Sequence, residues 1–215
     1  MAQSVFLVAP LAVLPAAFGF RVAKRAMDLV LTGLGLIAIW PLLALIALAI
    51  RLDTRGPVFF VQTRVGKDGR TFGMVKFRSM VVNAESLLAG LQGDRDGLCF
   101  KAKDDPRITR VGRFLRRTSL DELPQLWNVL RGEMSLVGPR PALPAEVAAY
   151  PAPARERLAA LPGITGEWQV SGRADISFDD MIALDVGYVR HPSLRRDISI
   201  LLRTVRVVLD GRGAY

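Results

Sequence analysis

The chain is poor in the side chains that most often carry redox or transition-metal chemistry. Its 215 residues contain one cysteine and one histidine. The single cysteine, Cys99, excludes an internal disulfide framework, so we expect a reducing compartment and a structural role for this residue. The histidine, His191, has no second histidine and no cysteine at ligand spacing, so it predicts no metal site. Chemistry is therefore expected from carboxylates and basic side chains.

Acidic residues are also scarce. The chain has 29 lysines and arginines against 20 aspartates and glutamates, a formal net charge of +9 and a pI near 10.5. Such a charge requires an anionic partner: nucleic acid, anionic membrane lipid or a nucleotide substrate. A hydrophobic content of 51% and a mean hydropathy of +0.28 favour lipid. Nucleic acid is not expected, because the basic residues lack the interleaved exposed aromatics that stack on single strands.

Charge is absent altogether from residues 29–50. As a continuous helix these residues would reach about 33 Å, close to the roughly 30 Å hydrocarbon core of a bilayer. Pro41 lies in the middle of the run, and basic residues flank it on both sides: Arg21, Lys24 and Arg25 before it, and Arg51, Arg55 and Arg64 after it. The flanking charge places both ends on the cytoplasmic side, so the pattern favours a re-entrant hairpin broken at Pro41. A membrane span is the second interpretation, and a buried core helix is the weakest.

The sequence has no linker that would divide it into separate globular units. We predict an apolar leader over residues 1–20, which is not a cleaved signal because no basic residue precedes its apolar stretch. Residues 21–55 are predicted to form the membrane hairpin, and residues 56–215 a cytoplasmic domain. Two β-rich runs around a turn at residues 66–69 predict a β-hairpin, and residues 83–91 are predicted to be helical. The expected fold class is mixed α/β (α+β) and mainly helical.

Two basic amphipathic segments are predicted. In residues 107–117 apolar positions alternate with arginines at helical spacing, and a similar pattern recurs over residues 194–209. Such helices suit the headgroup region of an anionic membrane, although ordinary core packing produces the same pattern. Beside the charge-free run, they favour a monotopic membrane protein whose surface lies on anionic lipid.

An acidic pair stands in a basic field. Asp121 and Glu122 are adjacent, and every other charged residue from position 107 to position 131 is an arginine. Arginines can hold an anionic substrate while one carboxylate binds a hard cation such as Mg²⁺ and the other attacks or takes a proton, a combination suited to phosphoryl transfer. The alternative is structural: Ser119 and Glu122 have capping-box spacing, and apolar residues follow at the positions of an amphipathic helix, 123, 126, 127 and 130. In both cases a carboxylate in the first helical turn is expected to be held ionised by the helix dipole.

Basic side chains near turns are further candidate phosphate ligands. Lys76 and Arg78 lie two residues apart on one predicted strand, so they share a face and could both meet a phosphate. A solvated strand face is the alternative interpretation. Arg140 lies between Pro139 and Pro141, which restrict the backbone and reduce the entropy lost when its guanidinium binds a phosphate.

Taken together, several stretches resemble the bacterial sugar transferases, the monotopic phosphoglycosyl transferases that begin exopolysaccharide and O-antigen repeat units on undecaprenyl phosphate. The resemblance covers roughly residues 24–215. The matching stretches are KRAMD at 24–28, KFRSM at 76–80, DPRIT at 105–109 with Gly112, SLDELPQ at 119–125 with Asn128, MSLVGPRP at 134–141, and PGITG at 162–166 continuing to Arg173. Each stretch is weak alone, and their combination is specific.

The resemblance implies that the cytoplasmic domain is catalytic and works in two steps. Asp121 would attack the sugar-bearing phosphate of a UDP-sugar and release UMP, and undecaprenyl phosphate would then take the phosphosugar. Glu122 would hold Mg²⁺. The implied ligands of the substrate phosphates and nucleotide are Lys76, Arg78, Arg116, Arg140, Pro139 and Pro141. The resemblance also implies the cytoplasmic face of the bacterial inner membrane, downstream glycosyltransferases as partners, and homo-oligomerisation as an open alternative.

Two details of the resemblance bear on the sugar and on the membrane hairpin. Residues 168–173, which could face a base or a sugar or form a rigid surface loop, and residues 212–215 most resemble the short exopolysaccharide galactosyl-phosphate transferases. This implies UDP-galactose as the first substrate and UDP-glucose as the second. Trp40 precedes Pro41 where relatives often carry a serine, so the break at Pro41 is expected to be shallower or held differently.

The alternative function is a non-catalytic membrane-surface adaptor, in which the acidic pair only caps a helix.

Overall fold

The computed structural model describes residues 18–84, 86–87, 105–172 and 176–210. The predictions for residues 1–17, Cys99, Arg173 and residues 211–215 fall outside these ranges, as does most of the helix predicted over residues 83–91. The described start of that segment forms a turn over residues 82–84 rather than a helix.

Helices and short strands alternate along the described chain. The helices are α1 (Phe18–Asp53), α2 (Arg110–Arg117), α3 (Gln125–Arg131), α4 (Pro144–Ala148), α5 (Glu167–Val170), α6 (Phe178–Arg190) and α7 (Leu194–Asp210). The strands are β1 (Phe59–Val65), β2 (Thr71–Phe77), β3 (Ser135–Val137) and β4 (Gly163–Thr165). Short 3-10 helices span Lys67–Gly69, Leu120–Glu122 and Ala152–Ala159. The predicted mixed α/β, mainly helical class is confirmed.

Helix α1 has 36 residues, and within the described ranges it is the one helix long and apolar enough to cross a membrane. Only 11% of its most apolar window is buried against the protein. Ile37 and Trp40, for example, are 73% and 66% exposed. The helix continues through Pro41, where the sequence predicted a break. A proline removes one N–H donor, and the Leu- and Ala-rich turns on either side keep their own helical hydrogen bonds.

Both ends of α1 pack on the rest of the chain. Near its start, the Arg25 guanidinium donates to the carbonyls of Val129 (2.6 Å) and Leu130 (2.9 Å) at the C-terminal end of α3. Near its end, Ile50 is buried in a cluster with Leu115 of α2. Helix α1 is therefore held at two separate points by two successive helices of the same domain.

A buried polar network reinforces the first of these contacts. The Lys24 ammonium donates to the Asp197 carboxylate at 2.8 Å and to the Val137 carbonyl at 3.0 Å. The Tyr188 hydroxyl donates to the other Asp197 oxygen at 2.7 Å. Asp28 accepts the backbone N–H of Leu136 at 3.1 Å. The motif at residues 24–28 thus connects α1 with β3, α6 and α7.

The strands form two small sheets. The predicted β-hairpin is confirmed: β1 and β2 pair antiparallel from Phe59 opposite Phe77 to Val65 opposite Thr71. Asp68 in its turn has a φ of 56°, a left-handed conformation that aspartate tolerates better than most residues. Strands β3 and β4 pair in parallel, a contact that the sequence did not predict because these strands are short and far apart along the chain.

The two predicted amphipathic segments differ from expectation in which residues they bury. Arg107 precedes α2 and is buried in an ion pair with Asp105 at 2.6 Å, so it does not belong to an exposed basic face. In α7, Ile200 is fully buried while Ile198 and Leu202 are 51% and 69% exposed. The apolar residues of α7 are therefore divided between the protein core and an outer face.

We predict that Asp197→Asn destabilises the fold by about 3–5 kcal/mol, because it leaves the Lys24 ammonium without its buried counter-ion. Asp197 is fully buried, and Lys24 is 14% exposed. Denaturation of the full chain in detergent, followed by circular dichroism, measures the change. The matched control is Glu156→Gln, which breaks an ion pair with the 55% exposed Arg190 and should cost less than about 1 kcal/mol. Equal losses of unfolding free energy in both variants would contradict a stabilising role for the buried Lys24–Asp197 ion pair.

Candidate active site

The acidic pair lies in the connection between α2 and α3. Asp121 and Glu122 belong to the 3-10 helix Leu120–Glu122, and α3 begins only at Gln125. Ser119 has a φ of 56°, and its side chain makes no capping hydrogen bond. The predicted capping box is therefore wrong, because the left-handed turn at Ser119 replaces the extended N-cap geometry that the box requires. The acidic pair is not explained as a helix cap.

Helix α3 buries a different face from the one that its pattern predicted. Its buried residues are Gln125, Asn128 and Val129. Trp127, which belongs to the predicted apolar stripe, is 56% exposed. The stripe expectation fails because β2 offers α3 an open edge of backbone polar groups, which Asn128 satisfies and a leucine could not.

Strand β2 brings Lys76 to the acidic pair. The Lys76 ammonium lies 2.8 Å from a Glu122 carboxylate oxygen. Side chains alternate along a strand, so Lys76 shares a face with Met74, which packs against Val129 of α3. Both partners of the ion pair are partly exposed, so the pair adds little stability. Its consequence is positional: it fixes a positive charge beside two carboxylates.

Asp121 is the perturbed acid of the site. Burial raises its pKa to about 6, and the neighbouring Glu122 charge also raises it, while the charges of Lys76 and Arg116 lower it. The expectation that a helix dipole holds this carboxylate ionised is wrong, because a dipole would lower the pKa of Asp121 and the pKa is raised. A three-residue 3-10 helix has too few aligned peptides for a strong dipole, so desolvation dominates. A carboxylate with a pKa near 6 is still largely ionised at pH 7 and is a stronger nucleophile or base than an ordinary aspartate.

Arg78 lies away from this group. Strand β2 ends at Phe77, and the Arg78 guanidinium is 5% exposed and donates to the carbonyls of Pro57 (2.6 Å) and Thr54 (3.0 Å) after α1. Burial lowers the pKa of Arg78. The structure therefore places Lys76, and not Arg78, beside the acidic pair, and phosphate binding by Arg78 stays a prediction.

The turn with Arg140 is a second basic element. Arg140 lies 3.5 Å from Glu146, and its carbonyl accepts from the buried Arg157 at 3.1 Å. Pro139 and Pro141 are buried, and their carbonyls accept hydrogen bonds from Gly163 at 2.8 Å and Arg64 at 3.1 Å. Arg140 is not among the charges that shift the pKa of Asp121. The turn is therefore built rigidly, and its contact with substrate stays a prediction.

The acidic pair fits the way in which proteins usually hold Mg²⁺. Within the described ranges, no cluster of three or more aspartates, glutamates, histidines and cysteines could enclose a metal ion. Mg²⁺ is typically bound by one or two carboxylates together with substrate phosphates and waters, rather than by an all-protein cage. Glu122, with Asp121 beside it, provides that donor set.

Comparison with known proteins shows the family to which the chain belongs. The family described as bacterial sugar transferase matches residues 19–211. The chain belongs to the bacterial sugar transferase family. It is 47% identical over 204 residues to the UDP-galactose-lipid carrier transferase of Erwinia amylovora. The aligned region covers 91% of this chain and 42% of that protein. It is 40% identical over 200 residues to the exopolysaccharide production protein ExoY of Sinorhizobium fredii. Here the aligned region covers 90% of this chain and 88% of that protein.

A third relative bears on the sugar. The undecaprenyl-phosphate glucose phosphotransferase of Komagataeibacter xylinus is 45% identical over 205 residues, covering 89% of this chain and 37% of that protein. The chain thus spans less than half the length of several curated relatives that it matches, and nearly nine-tenths of ExoY. Relatives named for galactose and for glucose match this bacterial sugar transferase at similar identity.

Sequence reasoning gave no role to Asn128, Arg157 or Asp185. Arg157 and Asp185 form a buried ion pair beneath the Arg140 turn, and Asn128 bonds the backbone of β2. A polar residue at an interior position of an apolar helix was the available signal for Asn128, and its partners in β2 lie more than fifty residues away in the sequence.

We predict that the Asp121 carboxyl titrates with a midpoint near pH 6. In the Lys76→Met protein the midpoint should move to higher pH, because the ammonium that favours the ionised form is gone. The ¹³C shift of the labelled carboxyl, assigned with Asp121→Asn, measures both values in metal-free buffer. A midpoint near 4 in the wild-type chain, or a downward shift in the variant, would contradict the assigned electrostatics.

Proposed function

We propose that this bacterial sugar transferase moves a hexose-1-phosphate from a UDP-sugar to undecaprenyl phosphate as the first membrane step of exopolysaccharide synthesis. The observation that carries the proposal is the meeting of Asp121, Glu122 and Lys76 in one site of a chain that belongs to this family. The relatives' names refer to galactose, glucose and undecaprenyl phosphate, which supports the choice of substrates.

The first step uses Asp121 as the nucleophile. A carboxylate oxygen attacks the phosphorus that carries the sugar, a new phosphorus–oxygen bond forms, and the bond to the bridging oxygen breaks, so that UMP leaves with that oxygen. In the second step an oxygen of undecaprenyl phosphate attacks the same phosphorus and restores the Asp121 carboxylate. The lipid then carries the sugar through a diphosphate. Covalent catalysis of this kind divides one difficult transfer into two easier ones.

The surrounding charges support both steps. Lys76 and Arg116, whose charges already act on Asp121, would neutralise the phosphate oxygens as the phosphorus is transferred. Mg²⁺ held by Glu122 would supply further charge neutralisation to the diphosphate. Because Asp121 must be ionised to attack, transfer should weaken as the pH falls below about 6.

UDP-galactose is the first donor to test, and UDP-glucose is the second. The sequence over residues 168–173 favours the galactose transferases, whereas the relatives include proteins named for each sugar. Downstream glycosyltransferases would use the lipid-linked product.

We further propose that α1 enters one leaflet from the cytoplasmic face of the inner membrane and returns. Its start contacts α3 and its end contacts α2, and only residues 118–124 separate these two helices. A helix that crossed a bilayer would have its ends on opposite faces, where one domain could not contact both. The exposed apolar side chains around Pro41 support burial in lipid, and the outer face of α7 supports contact with anionic lipid. A proline-centred bend would allow the return.

We predict that purified protein with undecaprenyl phosphate and Mg²⁺ releases UMP from one of the two UDP-sugars. Asp121→Asn should reduce the rate by about 1,000-fold or more and abolish trapping of labelled sugar phosphate, because the nucleophile is lost. Glu122→Gln should reduce the rate by about 10- to 100-fold and raise the Mg²⁺ requirement. Glu156→Gln, which breaks the ion pair with Arg190 on α6, is the control. Trapping by Asp121→Asn would contradict the assignment of Asp121 as the nucleophile. Absence of release with either donor would contradict the proposed donors, and absence with other UDP-sugars as well would favour the adaptor.

We predict that both ends of α1 face the cytoplasm. Phe18→Cys and Leu52→Cys replace side chains that are 75% and 79% exposed, in a Cys99→Ser background. A membrane-impermeant maleimide should label neither position in intact spheroplasts and both in inverted inner-membrane vesicles. Arg190→Cys on α6 serves as the reference for the catalytic domain. Labelling of one end from each side would establish a span instead.

A further inference from the structure

Asn128 is fully buried, and its side chain bonds the backbone of a strand that is distant in the sequence. Its Oδ1 accepts the N–H of Val75 at 3.0 Å, and its Nδ2 donates to the carbonyl of Gly73 at 2.8 Å. The same Nδ2 also donates to Glu133 at 2.7 Å. All of its polar atoms are therefore engaged, two of its bonds reaching β2 from α3.

These two bonds reproduce the pairing of a neighbouring strand. Strand β2 pairs with β1 along one edge, and its other edge carries backbone donors and acceptors that need partners. The Asn128 amide presents one donor and one acceptor at the spacing of Gly73 and Val75, as a peptide group of another strand would. An apolar side chain of similar size would fill the space but would leave both backbone groups unpaired.

The position of this contact links the two halves of the active site. Val75 precedes Lys76 directly, and Asn128 lies in the first turn of α3, six residues after Glu122. The apolar contact of Met74 with Val129 attracts the same two elements but does not define their register. A one-residue shift of β2 would turn Lys76 to the opposite face of the strand. The Asn128 bonds oppose that shift.

We propose that Asn128 is a positioning residue for sugar-phosphate transfer, which sets the Lys76 ammonium beside Glu122 and Asp121 by fixing the edge of β2 to α3. This inference rests on the proposed function for its catalytic consequence. Its structural part, the fixed register between β2 and α3, stands independently of the reaction.

A double-mutant cycle tests the catalytic part. Asn128→Ala should lower kcat for UMP release by about 10- to 100-fold and change KM by less than about threefold, because a displaced charge affects the transition state more than ground-state binding. Lys76→Met should have an effect of similar size. The double variant should be no slower than Lys76→Met alone, because Asn128 acts through Lys76. Losses that multiply in the double variant would overturn the proposal.

A control separates positioning from general loss of stability. Thr204→Val removes another partly buried side-chain network, in which the Thr204 hydroxyl bonds Thr165 at 2.7 Å and the Ile200 carbonyl at 2.7 Å. It should lower the melting temperature without changing kcat at 20 °C. A loss of kcat in Thr204→Val as large as that in Asn128→Ala would assign the Asn128 effect to stability and overturn the proposal. Asn128→Ser is the milder variant and carries the same test if Asn128→Ala does not fold.

Amide hydrogen exchange tests the structural part without any substrate. In Asn128→Ala or Asn128→Ser, the Val75 amide should exchange at least about 10-fold faster, because its acceptor is lost. The Met74 and Lys76 amides, which point toward β1 by strand alternation, should change much less. Unchanged exchange at Val75 would overturn the proposal. If the wild-type protein releases no UMP while Val75 responds as expected, the proposed function fails and the fixed register remains.

Discussion

Strand β2 packs against helices on both of its faces, and the remaining parts of the site depend on that placement. Met74 contacts Val129 of α3 on one face, while Phe77 contacts the cluster around Leu115 and the end of α1 on the other. Because side chains alternate along the strand, Lys76 must lie on the α3 side, where Glu122 is. The positions of helix α1, the β1–β2 hairpin and the acidic pair therefore all depend on the packing of β2.

The same arrangement explains how a long apolar helix is joined to a charged domain. Most of α1 has no partner among the described residues, so its exposed hydrophobic surface is suited to contact with lipid. Its polar residues are concentrated at the ends, where Lys24 and Arg25 bind buried acceptors and Asp53 accepts the N–H of Val111 at 3.0 Å. The domain is thus joined to the helix by directional polar contacts, whereas the exposed apolar middle of the helix is suited to non-directional contacts with lipid.

The arginines of the chain serve the fold as much as any substrate. Arg25 and Arg78 bind helix-end or loop carbonyls, and Arg107 and Arg157 are buried in ion pairs. The net charge of +9 therefore overstates the positive charge that is available to a phosphate or a lipid headgroup. Near Asp121, the charges that act on the carboxyl come from Lys76, Arg116 and Glu122, a far smaller set than the basic field of the sequence suggests.

Local patterns in the sequence were sufficient to predict the β1–β2 hairpin, a helix over the charge-free run, the mixed fold class and the adjacency of Asp121 and Glu122. Each of these features depends on residues close together in the chain. Family membership followed from several short stretches read together. Tertiary structure alone decided that burial raises the pKa of Asp121, that Lys76 rather than Arg78 meets Glu122, and that α3 buries Asn128 instead of Trp127. These outcomes depend on desolvation and on contacts between residues 46 or more positions apart, such as Lys76 with Glu122, which no local periodicity encodes.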